Sequence, residues 1–215
     1  MTSEDAGGGY AKGRRRRAQI IATAFEAFGT VGYRHATISQ IAADCGVSRA
    51  GLLHHFPTKE SLLEAVLQER ERADTRMFFG ADYSPGADGL DYLGRMVRVV
   101  EYNTRNPGIV GLFAVLSAEA TDPSSAVRPY FVTRYRASRR LFGAAFRDLA
   151  ARGLLRGPAT PESLAEGFIA LLDGLQVQWL LDPERVDMPA RVRDHLRSVL
   201  TVEVPVPDLP APPHA

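Results

Sequence analysis

A single cysteine, Cys45, stands in 215 residues. That excludes a disulfide framework within the chain and a thiolate zinc cluster, and a reduced, cytoplasmic setting is expected. No run of about 18 consecutive apolar residues occurs, so no membrane-spanning helix is readable. The opening segment, MTSEDAGGGYAKGRRRRA, has no apolar stretch behind its basic cluster and lacks the form of a secretory signal. Enzyme signatures are missing too: there is no Gly-rich phosphate loop, no Glu-x-x-His pair and no Gly-x-Ser-x-Gly elbow. A non-enzymatic chain without cofactor or catalytic residues is expected. Lysine is nearly absent, with 24 of the 26 basic residues being arginine, a bias that says little about function.

What is present is enough to fold. Apolar residues make up 45% of the chain and charged residues 24%, with a net charge of +1. The small net charge hides an asymmetry. Residues 8–59 hold Lys12, Arg14 to Arg17, Arg34, Arg49 and Lys59 against only Glu26 and Asp44, while residues 60–215 hold 18 basic and 21 acidic side chains. A basic head on a mildly acidic body points to a polyanion partner for the head alone.

Apolar spacing is helical almost throughout. Ile20, Ala24, Phe25, Phe28 and Val31 recur at three- and four-residue steps, and Gly29 and Gly32 mark the end of a helix starting at Arg14. Thr37 and Gln40 have capping-box spacing before a helix that stops at Gly46. Ser48 caps the short helix RAGLLHHF, Pro57 ends it, and Thr58 caps the next, which runs to about Met77. Further helices are predicted over 88–105, 108–120, 125–153, 161–181 and 189–202, separated by Pro, Gly and Asp breakers. The expected fold is all-α with about nine helices. The predicted organisation is a flexible arm over 1–13, a small helical domain over 14–60, a larger helical body over 61–202, and an unstructured Pro-rich tail over 203–215.

The informative stretch is residues 36–63, ATISQIAADCGVSRAGLLHHFPTKESLL. Two short helices meet at a Gly-centred turn, which is the helix-turn-helix arrangement that lays its second helix in the major groove of DNA. Small Ala42 lets the second helix approach, Gly46 can take positive φ, and Val47 and Leu52 point inward. Ser48 leaves the partly positive N-terminus of the recognition helix facing DNA.

This stretch resembles the N-terminal signature of the TetR family of transcriptional regulators. The matching elements are Thr37, Ile41-Ala42, Gly46-Val47-Ser48, Leu52, His55-Phe56 and Lys59-Glu60-x-Leu62, with Gly32-Tyr33 ending the preceding helix. Two departures stand out. Leu53 occupies a position where most members carry Tyr and cannot supply that hydroxyl's phosphate hydrogen bond, and Ala50 is followed by Gly51 at the small position.

Arg49 has the fork to read O6 and N7 of a guanine, or to hold a phosphate. Ala50 and Gly51 let the backbone approach the bases, touch a thymine methyl, or simply allow packing. His54 reads as a base or phosphate contact and His55 as a helix-end support or phosphate contact. Adjacent helical residues diverge by about 100°, so the two histidines do not form a metal site. Thr37 and Lys59 sit at helix starts suited to phosphate, an assignment that the resemblance shares. Arg14 to Arg17 read either as a non-specific electrostatic contribution or as a frayed, solvated helix start. Cys45 reads as a small buried side chain.

For the body, the resemblance implies a small-molecule cavity and a homodimer formed through the last two helices. Tyr102, Asn103, Phe113, Leu116, Ser117, Glu119, Tyr130, Arg134, Phe168 and Gln176 mix aromatic walls with polar anchors and are the expected pocket residues. Leu164, Phe168, Leu171, Leu172, Leu175 and Trp179 are apolar enough to cover a partner helix, or equally to fill the chain's own core. The expected function is a homodimeric, ligand-responsive regulator, most simply a repressor that an effector releases from a palindromic operator. A second reading keeps the fold but has the chain activate transcription or answer a protein partner.

Overall fold

The computed structural model describes residues 5–80 and 87–208, with side chains from residue 11 onward. Nine helices lie among the described residues: α1 (Asp5–His35), α2 (Ile38–Asp44), α3 (Arg49–His55), α4 (Lys59–Phe78), α5 (Gly89–Asn103), α6 (Pro107–Glu119), α7 (Arg128–Ala151), α8 (Pro161–Leu181) and α9 (Met188–Val199). Apart from one isolated antiparallel bridge between Leu155 and Leu200, the described residues hold no strand pairing. The all-α expectation holds.

The chain divides into two compact units, Met1–Arg72 and Ala73–Ala215. In the first, α1, α2 and α3 close around Ile20, Ala24, Phe28, Ile41, Leu52 and Phe56, all of them buried. Residues 5–13 are helical and belong to α1, although their composition predicts a flexible arm. No proline interrupts Asp5–His35, and propagating an existing helix costs far less than starting one. Residues 1–4 of that expected arm lie outside the described residues.

In the second unit α7 and α8 share the largest contact, with α5 against α7 and α9 and α6 against α8. Its core is aromatic. The Phe142 ring meets Tyr92 at 5.4 Å and Phe168 at 5.1 Å, and Phe168 also meets Phe146 at 6.2 Å, all edge-on. Edge-on pairs of this kind add attraction beyond the area they bury. Gly89 is required where α5 starts, because a Cβ there would run into the carbonyl oxygen of Ala145 on α7.

Two features depart from expectation. Helix α8 is long and apolar enough by composition to cross a membrane, yet one of its faces carries buried core residues. The Pro-rich tail is irregular through residue 208, as predicted, but it is not loose. Val204 and Val206 pack on the core. Arg98 donates to the carbonyl of Pro207 at 2.8 Å and to Asp208 at 3.0 Å. A Cβ on Gly94 would overlap the carbonyl oxygen of Pro205. Alternating valines supply the apolar anchors, and proline limits what the free chain loses on docking. Residues 209–215 of the tail lie outside the described residues.

Candidate nucleic-acid interface

The turn between α2 and α3 is built by the backbone. Gly46 has φ +67. Its N–H donates to Ala43 O at 3.0 Å, and the N–H of Val47 donates to Ala42 O at 2.9 Å. This is the Schellman arrangement, which satisfies two orphan carbonyls and needs a left-handed residue after the helix. The Nε2 of Gln19 on α1 donates to Cys45 O at 3.4 Å, tying the turn to the first helix. Cys45 itself is buried.

Both helix starts are capped as predicted. Thr37 Oγ1 accepts from Gln40 N at 3.2 Å, and Ser48 Oγ accepts from Gly51 N at 3.0 Å. At α4, Thr58 Oγ1 accepts from Ser61 N at 3.1 Å. These caps satisfy orphan amides and leave the positive helix ends intact.

Arg49, Ala50 and His54 are exposed on one side of α3, while Leu52 is wholly buried on the other. Leu53 and His55 are half-buried. A Cβ on Gly51 would meet Ser48 Oγ at 3.2 Å, so glycine at this position makes room for the cap. The two imidazoles meet edge-on at 5.7 Å.

The sequence-predicted Lys59 stands in a setting that sequence reasoning missed. Its ammonium lies 4.4 Å from the centre of the Tyr33 ring and donates to Arg34 O at 3.4 Å. Desolvation by these neighbours pushes its pKa down. Arg17 likewise lies over the Phe56 ring at 4.9 Å. The Gly32-Tyr33 pair was visible in sequence, but its partner across 26 residues was not.

In the second unit the expected pocket residues fall into separate groups. Asn103 and Gln176 line one narrow cleft, with a cavity volume of about 10 Å³, together with Val100, Leu172, Leu175, Met188 and Val192. Phe113, Leu116, Ser117, Glu119, Tyr130 and Arg134 lie on α6 and α7. There Arg134 covers the Phe113 ring at 4.7 Å, and Tyr135, missed in sequence, donates to Asp173 at 2.8 Å. Burial raises the Tyr135 pKa to about 12 and that of Asp173 above its ordinary value. Tyr102 instead packs edge-on against Phe78.

Phe168 was expected both in the pocket and at the dimer seam. It is fully enclosed by Phe142, Phe146 and His195 within one chain. Leu164, Leu175 and Trp179 are also buried in this core, and Leu171 and Leu172 pack partly against it. The outward face of α8 carries Ser163, Gly167, Ala170, Val177 and Leu181 instead, with Val177 48% and Leu181 81% exposed. An apolar helix with two apolar sides does not reveal by periodicity which side turns inward.

The model of bacterial regulatory proteins of the tetR family matches residues 20–66, and that of the BetI-type transcriptional repressor C-terminal region matches residues 105–203. The chain belongs to the TetR family. The HTH-type transcriptional regulator TtgR of Pseudomonas putida is 29% identical to this TetR-family chain over 181 residues, covering 80% of the chain and 83% of TtgR. Among solved structures, SmeT of Stenotrophomonas maltophilia with triclosan superposes at a TM-score of 0.74 and 19% identity, over 93% of this chain and 100% of that one. A protein from Saccharomonospora viridis solved with choline superposes at 0.71 and 21% identity, over 88% and 100%. These likenesses establish a TetR fold, and the family models make the chain a transcriptional regulator carrying a helix-turn-helix.

Proposed function

We propose that this TetR-family chain is a homodimeric, ligand-responsive repressor that an effector releases from a palindromic operator. The carrying observation is the surface of the first unit. Exposed Arg49, Ala50 and His54 stand on the outer side of α3, while Thr37, Ser48 and Thr58 cap three helix starts beside Lys59. Such a surface offers base-reading groups in the middle and phosphate-holding groups around them. Residues 14–60 would serve DNA and residues 61–202 the effector and the second copy. The outward stripe of α8, small and apolar at helical spacing, supports a partner helix at close range. One short recognition helix reads few bases, and a two-fold pair reads two half-sites.

The effector reading is supported by the cleft lined by Asn103 and Gln176 and by the ligands of the two structural neighbours, triclosan and choline. An effector acts by preferring the arrangement that DNA does not, with a coupling of about 1–3 kcal/mol, or roughly 5- to 150-fold in operator affinity. The test is fluorescence anisotropy on duplex flanking the chain's own gene against scrambled duplex across a salt series. Selective binding with a steep salt slope is expected, and Arg49→Ala should relax the sequence preference. Equal affinity for both duplexes at every salt concentration would remove the operator reading.

A further inference from the structure

We propose that Tyr33 is a positioning residue for DNA binding: its ring aims the Lys59 ammonium, and its hydroxyl takes the neighbouring Glu60 carboxylate in place of a direct ion pair with that lysine. The proposal rests on reading the first unit as the DNA-binding one.

Lys59 and Glu60 are consecutive at the start of α4. Left alone, an ammonium and a carboxylate at adjacent positions attract each other, and the lysine is a four-carbon chain with many rotamers. Here they are held apart on two sides of one phenol. The ammonium sits over the Tyr33 ring face at 4.4 Å and donates to Arg34 O at 3.4 Å. The Tyr33 hydroxyl donates to Glu60 Oε1 at 3.0 Å. Glu60 is further tied down at the helix start: its backbone amide first, then Tyr33, Thr58 and the nearby Lys59 charge, hold its pKa below the usual carboxylate value against the cost of desolvation. The carboxylate thus takes its hydrogen bond from Tyr33, and its attraction to Lys59 acts through space without a direct ion pair.

The backbone before Tyr33 makes this geometry possible. Gly32 adopts φ 79 and ψ 157, a conformation essentially restricted to glycine, and kinks α1 one residue before the ring. The Phe28 ring then supports Tyr33 edge-on at 5.4 Å. Ring and Arg34 carbonyl thus arrive together on Lys59. A ring attracts a cation without cancelling its charge. The ammonium is ordered before DNA arrives and still presents a full positive charge to a phosphate, so less side-chain freedom is lost on binding.

Two measurements decide the matter. The chain has only two lysines, Lys12 and Lys59, so lysine-selective 13C labelling gives two sets of side-chain signals. The Lys59 ε-methylene should carry a ring-current shift that Tyr33→Phe retains and Tyr33→Leu abolishes. The second measurement is anisotropy titration of a random-sequence 40-base-pair duplex over a salt series. Tyr33→Leu should weaken binding about threefold to tenfold with the salt slope unchanged, since the charge remains. Lys59→Ala should lower the slope by about 1. Tyr33→Leu added to Lys59→Ala should cost nothing more. Tyr33→Phe, which keeps the ring, should fall between wild type and Tyr33→Leu. An unshifted Lys59 signal in the wild-type chain overturns the proposal, as does an equal Tyr33→Leu loss with and without Lys59. A wild-type chain that binds no duplex at any salt removes the DNA-binding reading itself, a result the labelling experiment distinguishes from failure of the clamp.

Discussion

The cations of the two units are housed differently. In the first, Arg17 and Lys59 lie on aromatic rings and Arg16 donates to Gln19. In the second, Arg95 pairs with Asp91, Arg98 with Glu101, Arg147 with Glu162, and Arg152 with Asp148. A ring or an amide orders a cation and leaves its charge for an outside anion, whereas a carboxylate cancels it. The location of charge along the sequence suggests where a polyanion binds, and its housing strengthens that inference. The first unit holds an ion pair as well, with Arg72 3.7 Å from Glu69 on α4, but the Glu60 carboxylate beside Lys59 takes the Tyr33 hydroxyl.

The comparison can be broken most severely in the second unit. Phe168→Ala removes the ring shared by Phe142, Phe146 and His195 and should lower stability by about 3–5 kcal/mol, read from denaturant melts. A loss below about 1 kcal/mol would mean the aromatic core is not where this unit's stability resides. In the first unit Ser48→Ala should cost about 1 kcal/mol through the lost cap on α3. It should weaken duplex binding through fraying of the helix; unchanged melting would show that the cap is dispensable.

A paired experiment sharpens the contrast in charge. Lys59→Ala should weaken all duplexes alike and lower the salt slope by about 1. Arg147→Ala, which breaks an exposed ion pair with Glu162, should leave duplex binding and its salt slope unchanged and shift the denaturant melt little, because solvent screens the pair. Matching slope changes in both variants would erase the distinction between the units.

The smallest effect is expected from His195, whose ring stacks on Phe168 at 5.8 Å and whose buried Nε2 has no hydrogen-bond partner. Burial lowers its pKa from 6.5. The unfolded chain therefore takes the proton first as pH falls, and the neutral ring's contribution is complete above the unfolded value and lost below it. Melting temperature should drop modestly between pH 7.5 and 5.5, with a shallower drop in His195→Phe. An identical pH profile in that variant would show that the histidine does not contribute.

Much of this was legible in the sequence because it is local. Helix starts follow from Thr37, Ser48 and Thr58, stops from Gly46, Gly153 and the prolines, and the helix-turn-helix from spacing alone. What could not be read is what two distant segments do together. Tyr33 was visible beside Gly32, but nothing local says that its ring receives Lys59. Phe168 reads equally as pocket, seam or core, since α8 is apolar on two sides and only tertiary packing selects between them. The tail reads as disordered from its prolines, while the groove that takes it is set by Gly94 on a helix more than 100 residues earlier.

That groove bears on how the protein should be handled in the laboratory. A short affinity tag or fluorophore joined near residue 203 would not ride on a passive tether, because Val204, Val206 and the Pro207 carbonyl are bound to the bundle. A probe placed there would report the fastening and release of the chain end, and a crowded fusion would compete with Arg98 for space. An amino-terminal label would spare this element. The docked tail thus provides a ready-made optical readout of the second unit's integrity, one that needs no knowledge of the effector.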